Sequence, residues 1–398
     1  MTELQPSQLV VETRKVDPTI GHRDKAQRVL SPAHPIEKLV FVDNMRGLGI
    51  LLVIAVHLSL EFQSRFIIEL GKLGAYGVQL FFVASAFTLC LSHDRRIAEN
   101  FPVINFYIRR YFRIAPVYYI GIIAYGVFFD IFGHSDKYTF LNVLANVFFV
   151  HGFVASANNS IVPGGWSIGV EMAFYVVFPA VFPAIDYMWS RWGRMCLILL
   201  IVAAIVGVIL LNFANNAVTG TWIVPNTFAY FFPLTQAPVF AIGIAYYLAA
   251  YRDGSWRLKP VRDFAIFLIA LTSCEIILLS QNNPLQALTP TIAALAFVFL
   301  AQFLRAKANR SGGILARIGK VSFSIYIMHF AFAWGLAGWA LRVLDLPGAQ
   351  EGLIFLPLYV ISTAFCLWLG ELSWRKIEAP MIGWGRAWIN SHERDYSV

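Results

Sequence analysis

Two ionisable residues lie within the first long apolar stretch of the chain, FVDNMRGLGILLVIAVHLSL at 41–60. Arg46 and His57 are separated by ~16 Å along the axis if this stretch is an α-helix. An imidazole can act as a general base near neutral pH, and a guanidinium binds anionic oxygen atoms. Because an ionisable group in hydrocarbon is costly, both residues indicate a functional site. The alternatives are that Arg46 reaches a lipid headgroup and that His57 bonds a neighbouring helix.

Three arginines form a second cluster, within FYIRRYFRIAPVYY at 106–119. Arg109, Arg110 and Arg113 lie at the predicted start of a helix, where their guanidinium groups suit phosphate and phosphoanhydride oxygens. The cluster is therefore a candidate anion clamp. The alternative is a set of basic residues that stops membrane insertion and contacts anionic lipid.

Further polar residues occur inside later apolar segments. Glu171 lies about one turn into WSIGVEMAF, where a helix N-terminus or a polar partner would stabilise it. Just before it, Trp166 is expected to anchor at the membrane interface and Ser167 to cap the helix. His329, in IGKVSFSIYIMHF, belongs either to the same site or to a structural hydrogen bond. The other candidates for a polar cavity are Gln79, Ser85 and Glu275.

The composition places these residues in an all-α, polytopic membrane protein. Of 398 residues, 58% are apolar and 14% are charged, whereas soluble domains are nearer half apolar and a quarter charged. The apolar runs are long and unbroken, which excludes the alternating segments of a β-barrel. The net charge of +8 is therefore interpreted as a topology signal, and no nucleic-acid partner is expected.

Eleven apolar segments follow a polar stretch at 1–38, which is expected to be a mobile cytoplasmic tail. Ten of them are long enough to span a bilayer, and 140–153 is expected to be a re-entrant or interfacial helix. The predicted transmembrane domain covers 39–386, and a short cytoplasmic tail follows at 387–398. The segments lie at roughly 41–60, 74–92, 114–133, 140–153, 167–185, 195–213, 228–250, 262–280, 287–304, 321–342 and 353–373.

Basic residues indicate which side of the membrane each loop faces. If 140–153 does not cross and the N-terminus is cytoplasmic, the inside loops include 93–113, 186–194, 251–261 and 305–320. We therefore expect ten spans, with both termini in the cytoplasm of a multi-pass protein of the plasma membrane. The inside then holds every Lys and Arg residue except Arg65, Lys72, Lys137 and Arg342.

This topology predicts that His57 and Glu171 meet. Each lies within about one turn of the outer end of its span, so both belong to the outer third of the membrane. A carboxylate beside an imidazole fixes its tautomer and stabilises the imidazolium, as a general base requires. The four cysteines fall in separate apolar runs without metal-binding or disulfide spacing, so we expect core thiols and no metal.

Together these stretches resemble the acyltransferase 3 family, integral-membrane enzymes that O-acylate cell-surface glycans and some small molecules. Two positions depart from the family pattern: Met172 stands where a second acid is usual, and Ala86 stands where a glycine is usual. The resemblance is carried, in order, by Arg46-x10-His57, GVQLFFVASAFTL at 77–89, the arginine stretch at 106–119, WSIGVEMAFYVVFP at 166–179, IGKVSFSIYIMHF at 318–330 and SWRKIEAPMIGWGR at 373–386.

The resemblance implies acyl transfer from cytoplasmic acyl-CoA, with acetyl-CoA the expected donor. The implied acceptor is a hydroxyl of an extracytoplasmic molecule, such as a cell-surface polysaccharide or its lipid-linked precursor. His57 matches the family's proposed catalytic histidine and Arg46 its basic partner, while 109–113 matches the region proposed to hold coenzyme A. We therefore expect His57 to be the base, oriented by Glu171, and Arg46 to hold the phosphates or pantetheine arm of the donor.

Two other classes of membrane protein remain open from the sequence alone. A transporter would also place polar residues inside spans, but it commonly shows repeated halves, and no such repeat is apparent. A structural scaffold is disfavoured because Arg46, His57, Glu171 and His329 all lie inside spans. The sequence fixes neither the acceptor, nor the size of the acyl group, nor the oligomeric state.

Overall fold

The computed structural model describes residues 39–131, 135–254, 256–280, 283–307, 312–344 and 351–395. The stretch at 1–38 lies outside them, so the predicted mobile tail stays a prediction. The described residues are helical, with no β-strand among them. In chain order the α-helices are α1 Val40–Ser59, α2 Arg65–Lys72, α3 Gly77–Asp94, α4 Pro102–Ile131, α5 Phe140–Val147, α6 Trp166–Trp192, α7 Arg194–Thr219, α8 Phe228–Phe231, α9 Pro233–Tyr246, α10 Pro260–Leu279, α11 Thr289–Lys307, α12 Ile314–Lys320, α13 Ser322–Leu344, α14 Glu351–Ser373 and α15 Ala379–Asp395.

Nine helical stretches within the described ranges are long and apolar enough to cross a membrane. They match the predicted spans, except that the segment at 262–280 is not among the nine. That segment forms α10 in the predicted place but carries Arg262, Asp263 and Glu275. The predicted polytopic helical fold is confirmed, while the side on which each terminus lies stays a prediction.

The apolar segment that decided the predicted topology forms a short helix, α5, of eight residues. A buried network ties it to the start of α6. Tyr118 Oη donates to Asn146 Oδ1 (2.6 Å), and His151 Nε2 donates to the carbonyl oxygen of Gly165 (2.9 Å). Burial lowers the pKa of His151, so the ring is neutral in this network. Tyr118 Oη of α4 also lies 3.2 Å from His151 Nε2, and Asn146 Nδ2 of α5 donates to the carbonyl oxygen of Ala157 (3.2 Å), so α4 and α5 hold the loop before α6 in place.

Helix α1 lies at the centre of the packing and contacts α3, α11, α12, α13 and α14. Glycines allow backbones to approach it closely. A Cβ atom added at Gly47 would collide with the carbonyl oxygen of Leu315, and one at Gly74 with that of Leu52. Gly47 and Gly74 therefore allow close helix packing, as small residues do in membrane helices. The middle of α1 is thus fixed by backbone contacts that larger residues could not make.

The last predicted span continues as helix far beyond its predicted end. After α14 comes a π-helical segment, Trp374–Glu378, and then α15, which is helical to residue 395. Glu393 of α15 accepts hydrogen bonds from the backbone N–H of Asn100 (3.1 Å) and from Asn105 Nδ2 (2.6 Å) beside α4. No change of structure marks the boundary predicted at 386, and the described part of the predicted tail packs on the helical domain.

Candidate functional site

Two cavities adjoin at three guanidinium groups. The larger, which we call the arginine cavity, has a volume of about 510 Å³ and lies between α1, α4, the π-helical segment and α15. The smaller, the glutamate cavity, has a volume of about 80 Å³ and lies between α1, α3, α4, α6 and α13. Arg46, Arg110 and Arg113 line both cavities. The structure thus brings Arg46 of α1 together with the predicted arginine cluster of α4.

The arginine cavity has a strongly positive lining. Two acidic residues, Asp43 and Glu99, line it against a larger number of basic ones. Its volume of about 510 Å³ lies within the ~300–1,000 Å³ of sites for drug-sized ligands, and its charge suits a large anion. The basic residues of the lining are Arg46, Arg96, Arg109, Arg110, Arg113, Lys320 and Arg386.

Two of the predicted arginines already have carboxylate partners. Arg109 forms a bidentate pair with Glu99, with N–O distances of 3.1 and 3.0 Å. Arg113 lies 3.7 Å from a carboxylate oxygen of the buried Glu378 and 5.4 Å from the ring centre of Trp374. Because the π-helical segment supplies both partners of Arg113, the last helix orients this side of the cavity.

Two further arginines of the lining, Arg46 and Arg110, form no ion pair with any described residue. Arg46 Nη2 donates to Thr88 Oγ1 (3.2 Å). The guanidinium of Arg110 lies 5.7 Å from the ring centres of both Phe106 and Tyr175, and its buried Nε has no hydrogen-bond partner. These two guanidinium groups are therefore available to an anionic ligand.

A carboxylate with two hydroxyl partners lies across the glutamate cavity. Ser85 Oγ donates to Glu171 Oε1 (2.6 Å), and the hydroxyl of Tyr175 donates to the same oxygen. The two hydroxyl oxygens are 3.2 Å apart. Ser85, which also suited helix packing, thus belongs to the site. Tyr175 lies one turn after Glu171 on α6, and this i, i+4 spacing is the signal that would have identified it from the sequence.

The opposite wall of the glutamate cavity joins the loop before α6 to α13. Ser167 Oγ lies 2.8 Å from the hydroxyl of Tyr326, which donates to the carbonyl oxygen of Gly164 (2.9 Å). The prediction that Ser167 caps α6 is wrong, because the helix begins one residue earlier and Gly165 is its N-cap. Gly164 has φ +74°, and a Cβ atom there would lie 2.7 Å from the ring of Phe330. Only a residue without a side chain fits this approach.

The two predicted intramembrane histidines contact each other. His57 Nδ1 and His329 Nε2 are 3.2 Å apart, and the ring of Phe330 lies 4.1 Å from the centre of each imidazole. Neither histidine lines the two cavities. Tyr326 joins them to the site, because it lines the glutamate cavity and its carbonyl oxygen is 2.7 Å from His329 Nδ1. We call His57 and His329 the histidine pair.

The predicted contact between His57 and Glu171 is not formed. Glu171 is held by Ser85 and Tyr175, whereas His57 faces α13 and His329. The prediction matched the depths of the two residues but did not consider the direction in which each side chain leaves its helix. Two residues at the same depth can point away from each other when their helices are rotated differently, and the side chains of His57 and Glu171 do so here.

The other predicted cavity residues lie outside the two linings. Gln79 is buried and donates to Gln236 Oε1 (3.3 Å), and Trp166 is stacked on Phe231 with ring centres 4.3 Å apart. Glu275 lies on α10, away from both cavities. Among the described residues, no group of three or more His, Cys, Asp or Glu could hold a metal ion. The four cysteines are buried and free, as predicted.

Comparison with known proteins gives matches to acyltransferases. A family model described as an acyltransferase domain matches residues 39–371. The acyltransferase MdmB of Streptomyces mycarofaciens is 25% identical over 74% of this chain and 79% of its own length. The exopolysaccharide production protein ExoZ of Rhizobium meliloti is 34% identical over 27% of this chain and 33% of its own. The peptidoglycan O-acetyltransferase OatA of Listeria monocytogenes is 28% identical over 35% and 23%, respectively. No solved structure gives a significant match.

Proposed function

The chain belongs to the acyltransferase 3 family, and on that premise we propose that it transfers an acyl group from acyl-CoA to a hydroxyl of an extracytoplasmic acceptor. A relative named as a peptidoglycan O-acetyltransferase supports an acetyl group as the group transferred, and hence acetyl-CoA as the donor. That relative and one named for exopolysaccharide production support a cell-surface polysaccharide, or its lipid-linked precursor, as the acceptor. The proposed location is the plasma membrane, with the donor bound from the cytoplasm.

The observation that carries the proposal is that two arginines at the junction of the two cavities have no carboxylate partner among the described residues. Arg46 and Arg110 line both cavities and have no carboxylate within ion-pair distance among the described residues. Coenzyme A carries several phosphate charges on its nucleotide and a long neutral arm that ends in the thioester. A large basic cavity that narrows into a smaller one at two free guanidinium groups has the charge distribution that such a donor needs.

In the proposed complex, the nucleotide occupies the arginine cavity and the arm extends into the glutamate cavity. The hydroxyls of Ser85 and Tyr175 and the carboxylate of Glu171 form one wall there, and Tyr326 forms the other. The thioester then lies on the Tyr326 side, next to the histidine pair. Glu171 in this proposal shapes the donor cavity and does not contact the base.

The chemistry needs one base. His57 takes the proton of the acceptor hydroxyl while the hydroxyl oxygen attacks the thioester carbonyl. Such general base catalysis raises the rate roughly 10²–10⁴-fold. The carbon–sulfur bond then breaks, and the proton passes from His57 to the departing thiolate of coenzyme A. His57 is partly exposed whereas His329 is 1% exposed, so His57 is the histidine that an acceptor can reach.

Membranes that contain the protein test the proposal when they are supplied with acetyl-CoA labelled in the acetyl group. We expect label to enter a hydroxyl-bearing lipid-linked or polysaccharide fraction, and we expect His57→Ala to reduce this rate by at least 100-fold at normal abundance. A transporter would attach no label covalently. Membranes whose lipid-linked and polysaccharide fractions stay unlabelled would therefore contradict the proposal. Full activity of His57→Ala would contradict only the role of the base.

A further inference from the structure

A continuous line of three hydrogen-bond contacts links the backbones of α13 and α1 through the histidine pair. His329 Nδ1 lies 2.7 Å from the carbonyl oxygen of Tyr326, and His329 Nε2 lies 3.2 Å from His57 Nδ1. His57 Nδ1 also lies 2.8 Å from the carbonyl oxygen of Val53. Both ends of the line are carbonyl oxygens, which accept hydrogen bonds and cannot donate them.

These two fixed acceptors determine the tautomer of each ring. His329 Nδ1 must carry a proton to bond the carbonyl oxygen of Tyr326, so Nε2 of the neutral His329 ring is an acceptor. His57 Nδ1 then faces two acceptors, Val53 O and His329 Nε2, and must carry its own proton. The lone pair of the His57 ring is therefore on Nε2. No described residue forms a hydrogen bond with that nitrogen.

We propose that His329 is the positioning residue of the base, the part that the sequence had assigned to Glu171. It holds the Nδ1–H tautomer of His57, directs the Nε2 lone pair towards the acceptor hydroxyl, and accepts the Nδ1–H bond of the imidazolium that forms. The proton from the acceptor enters and leaves through His57 Nε2, so His329 gains and loses no proton. This inference rests on the proposed function of His57 as the base.

The surroundings of the pair favour this arrangement over a merely structural contact. His329 is 1% exposed, and the Phe330 ring covers both imidazoles at 4.1 Å, so water does not compete for the bond. In such an environment a hydrogen bond to a charged partner contributes more than a neutral one. The bond from His57 to His329 is neutral before proton transfer and charge-assisted after it. It therefore strengthens as the reaction proceeds, which is the condition for an effect on kcat.

Two variants of nearly equal size separate the two nitrogens of His329. In His329→Gln the amide oxygen lies near the place of Nε2 and accepts from His57 Nδ1. In His329→Asn the amide nitrogen lies near the place of Nδ1, bonds the carbonyl oxygen of Tyr326, and leaves His57 without its partner. We expect His329→Asn to lower kcat roughly 10- to 100-fold, which is the cost of one lost hydrogen bond to a charged group. The loss is limited because the carbonyl oxygen of Val53 still holds the His57 ring.

The expected pattern is a fall in kcat for His329→Asn with an unchanged KM for acetyl-CoA, and a kcat within a few-fold of wild type for His329→Gln. Abundance and thermal unfolding in detergent are measured for both variants. If His329→Asn does not accumulate, His329→Thr, which also lacks an acceptor at Nε2, replaces it. Equal losses in the acceptor and non-acceptor variants, or no loss in either, would overturn the inference.

The same assay separates failure of the inference from failure of the proposed function. Wild-type membranes without transferase activity would overturn the function, and an active His57→Ala would overturn the base. An inactive His57→Ala together with a fully active His329→Asn would overturn the positioning role alone.

Discussion

The arginine cavity and the histidine pair place ionisable side chains inside apolar helices in opposite ways. The lining of the cavity has many cations, some of them paired with carboxylates and others, such as Arg46 and Arg110, without a carboxylate partner among the described residues. The histidine pair lines neither of the two cavities, and its two imidazoles are held by backbone carbonyls and covered by one aromatic ring. The guanidinium groups are thus kept where solvent or a ligand can reach them, whereas the imidazoles are fixed by hydrogen bonds in a largely apolar environment.

This difference separates binding from chemistry. A cation that lies in an open cavity can attract a donor from a distance, and each one adds to the affinity. A base needs a defined tautomer and a defined direction, which two fixed hydrogen bonds provide. Variants of the arginine cavity should therefore act on KM for the donor, and variants around the histidine pair should act on kcat.

The largest effect is expected from the arginine at the junction of the cavities. Arg110→Gln removes a cation that has no carboxylate partner, so the KM for acetyl-CoA should rise roughly 10- to 100-fold while kcat changes little. Steady-state rates at varied acetyl-CoA measure both quantities. A fall in kcat at constant KM would contradict the assignment of donor binding to the arginine cavity and of chemistry to the histidine pair.

An ion pair in the same cavity provides the matched control. The double variant Arg109→Gln with Glu99→Gln removes one positive and one negative charge from a bidentate pair and leaves the net charge unchanged. Its KM should stay within about threefold of wild type, since removing both partners together leaves no uncompensated charge. An increase as large as that of Arg110→Gln would show that position in the cavity matters more than free charge.

The next largest effect, a fall in kcat, is expected from a substitution that disturbs the aromatic ring over the histidine pair. Gly164→Ala adds a Cβ atom 2.7 Å from the ring of Phe330 and strains a residue at φ +74°. Because Phe330 covers both imidazoles, kcat should fall about tenfold at constant KM, with a loss of ~1–3 kcal/mol in stability. Gly335→Ala on α13 is the control, since nothing lies within 4 Å of its added Cβ atom. Equal effects of the two changes would contradict the expectation.

The smallest effect is expected from salt. Raising the ionic strength from ~0.1 to ~1 M shortens the screening length from ~10 to ~3 Å, which weakens attraction of an anionic donor into an open basic cavity. The KM for acetyl-CoA should rise a few-fold, whereas kcat should not change. A salt-dependent kcat would indicate that the histidine pair also senses screened charge.

The sequence predicted the helices well because a membrane-spanning helix is visible in the sequence as one long apolar run. Hydropathy located α1, the short α5 and the arginine stretch of α4. It also separated Arg46 and His57 by depth. It did not predict the partner of His57, because depth says nothing about the face of a helix on which a side chain lies. His329 was a candidate in the sequence, but its contact with His57 depends on how α13 is rotated against α1.

The partners of the arginines were also beyond the sequence. Glu378 reaches Arg113 because a π-helical turn follows α14, and apolar periodicity does not reveal such a turn. Tyr175 was missed although it lies one turn from Glu171, since an aromatic residue in an apolar run is usually taken as core. Four residues of separation from an intramembrane acid would have been sufficient reason to include it.

Glycine contacts fix the middle of α1 between its neighbours. Gly47 lies against the backbone of α12 and Gly74 against that of α1 itself, so α1 cannot slide between its neighbours. The separation of ~16 Å between Arg46 and His57 along the helix axis is then constant. On the proposed function, a donor is selected by the length between its phosphates and its thioester. Acetyl phosphate, in which the anion and the acyl group are adjacent, could contact Arg46 or His57 but never both at once.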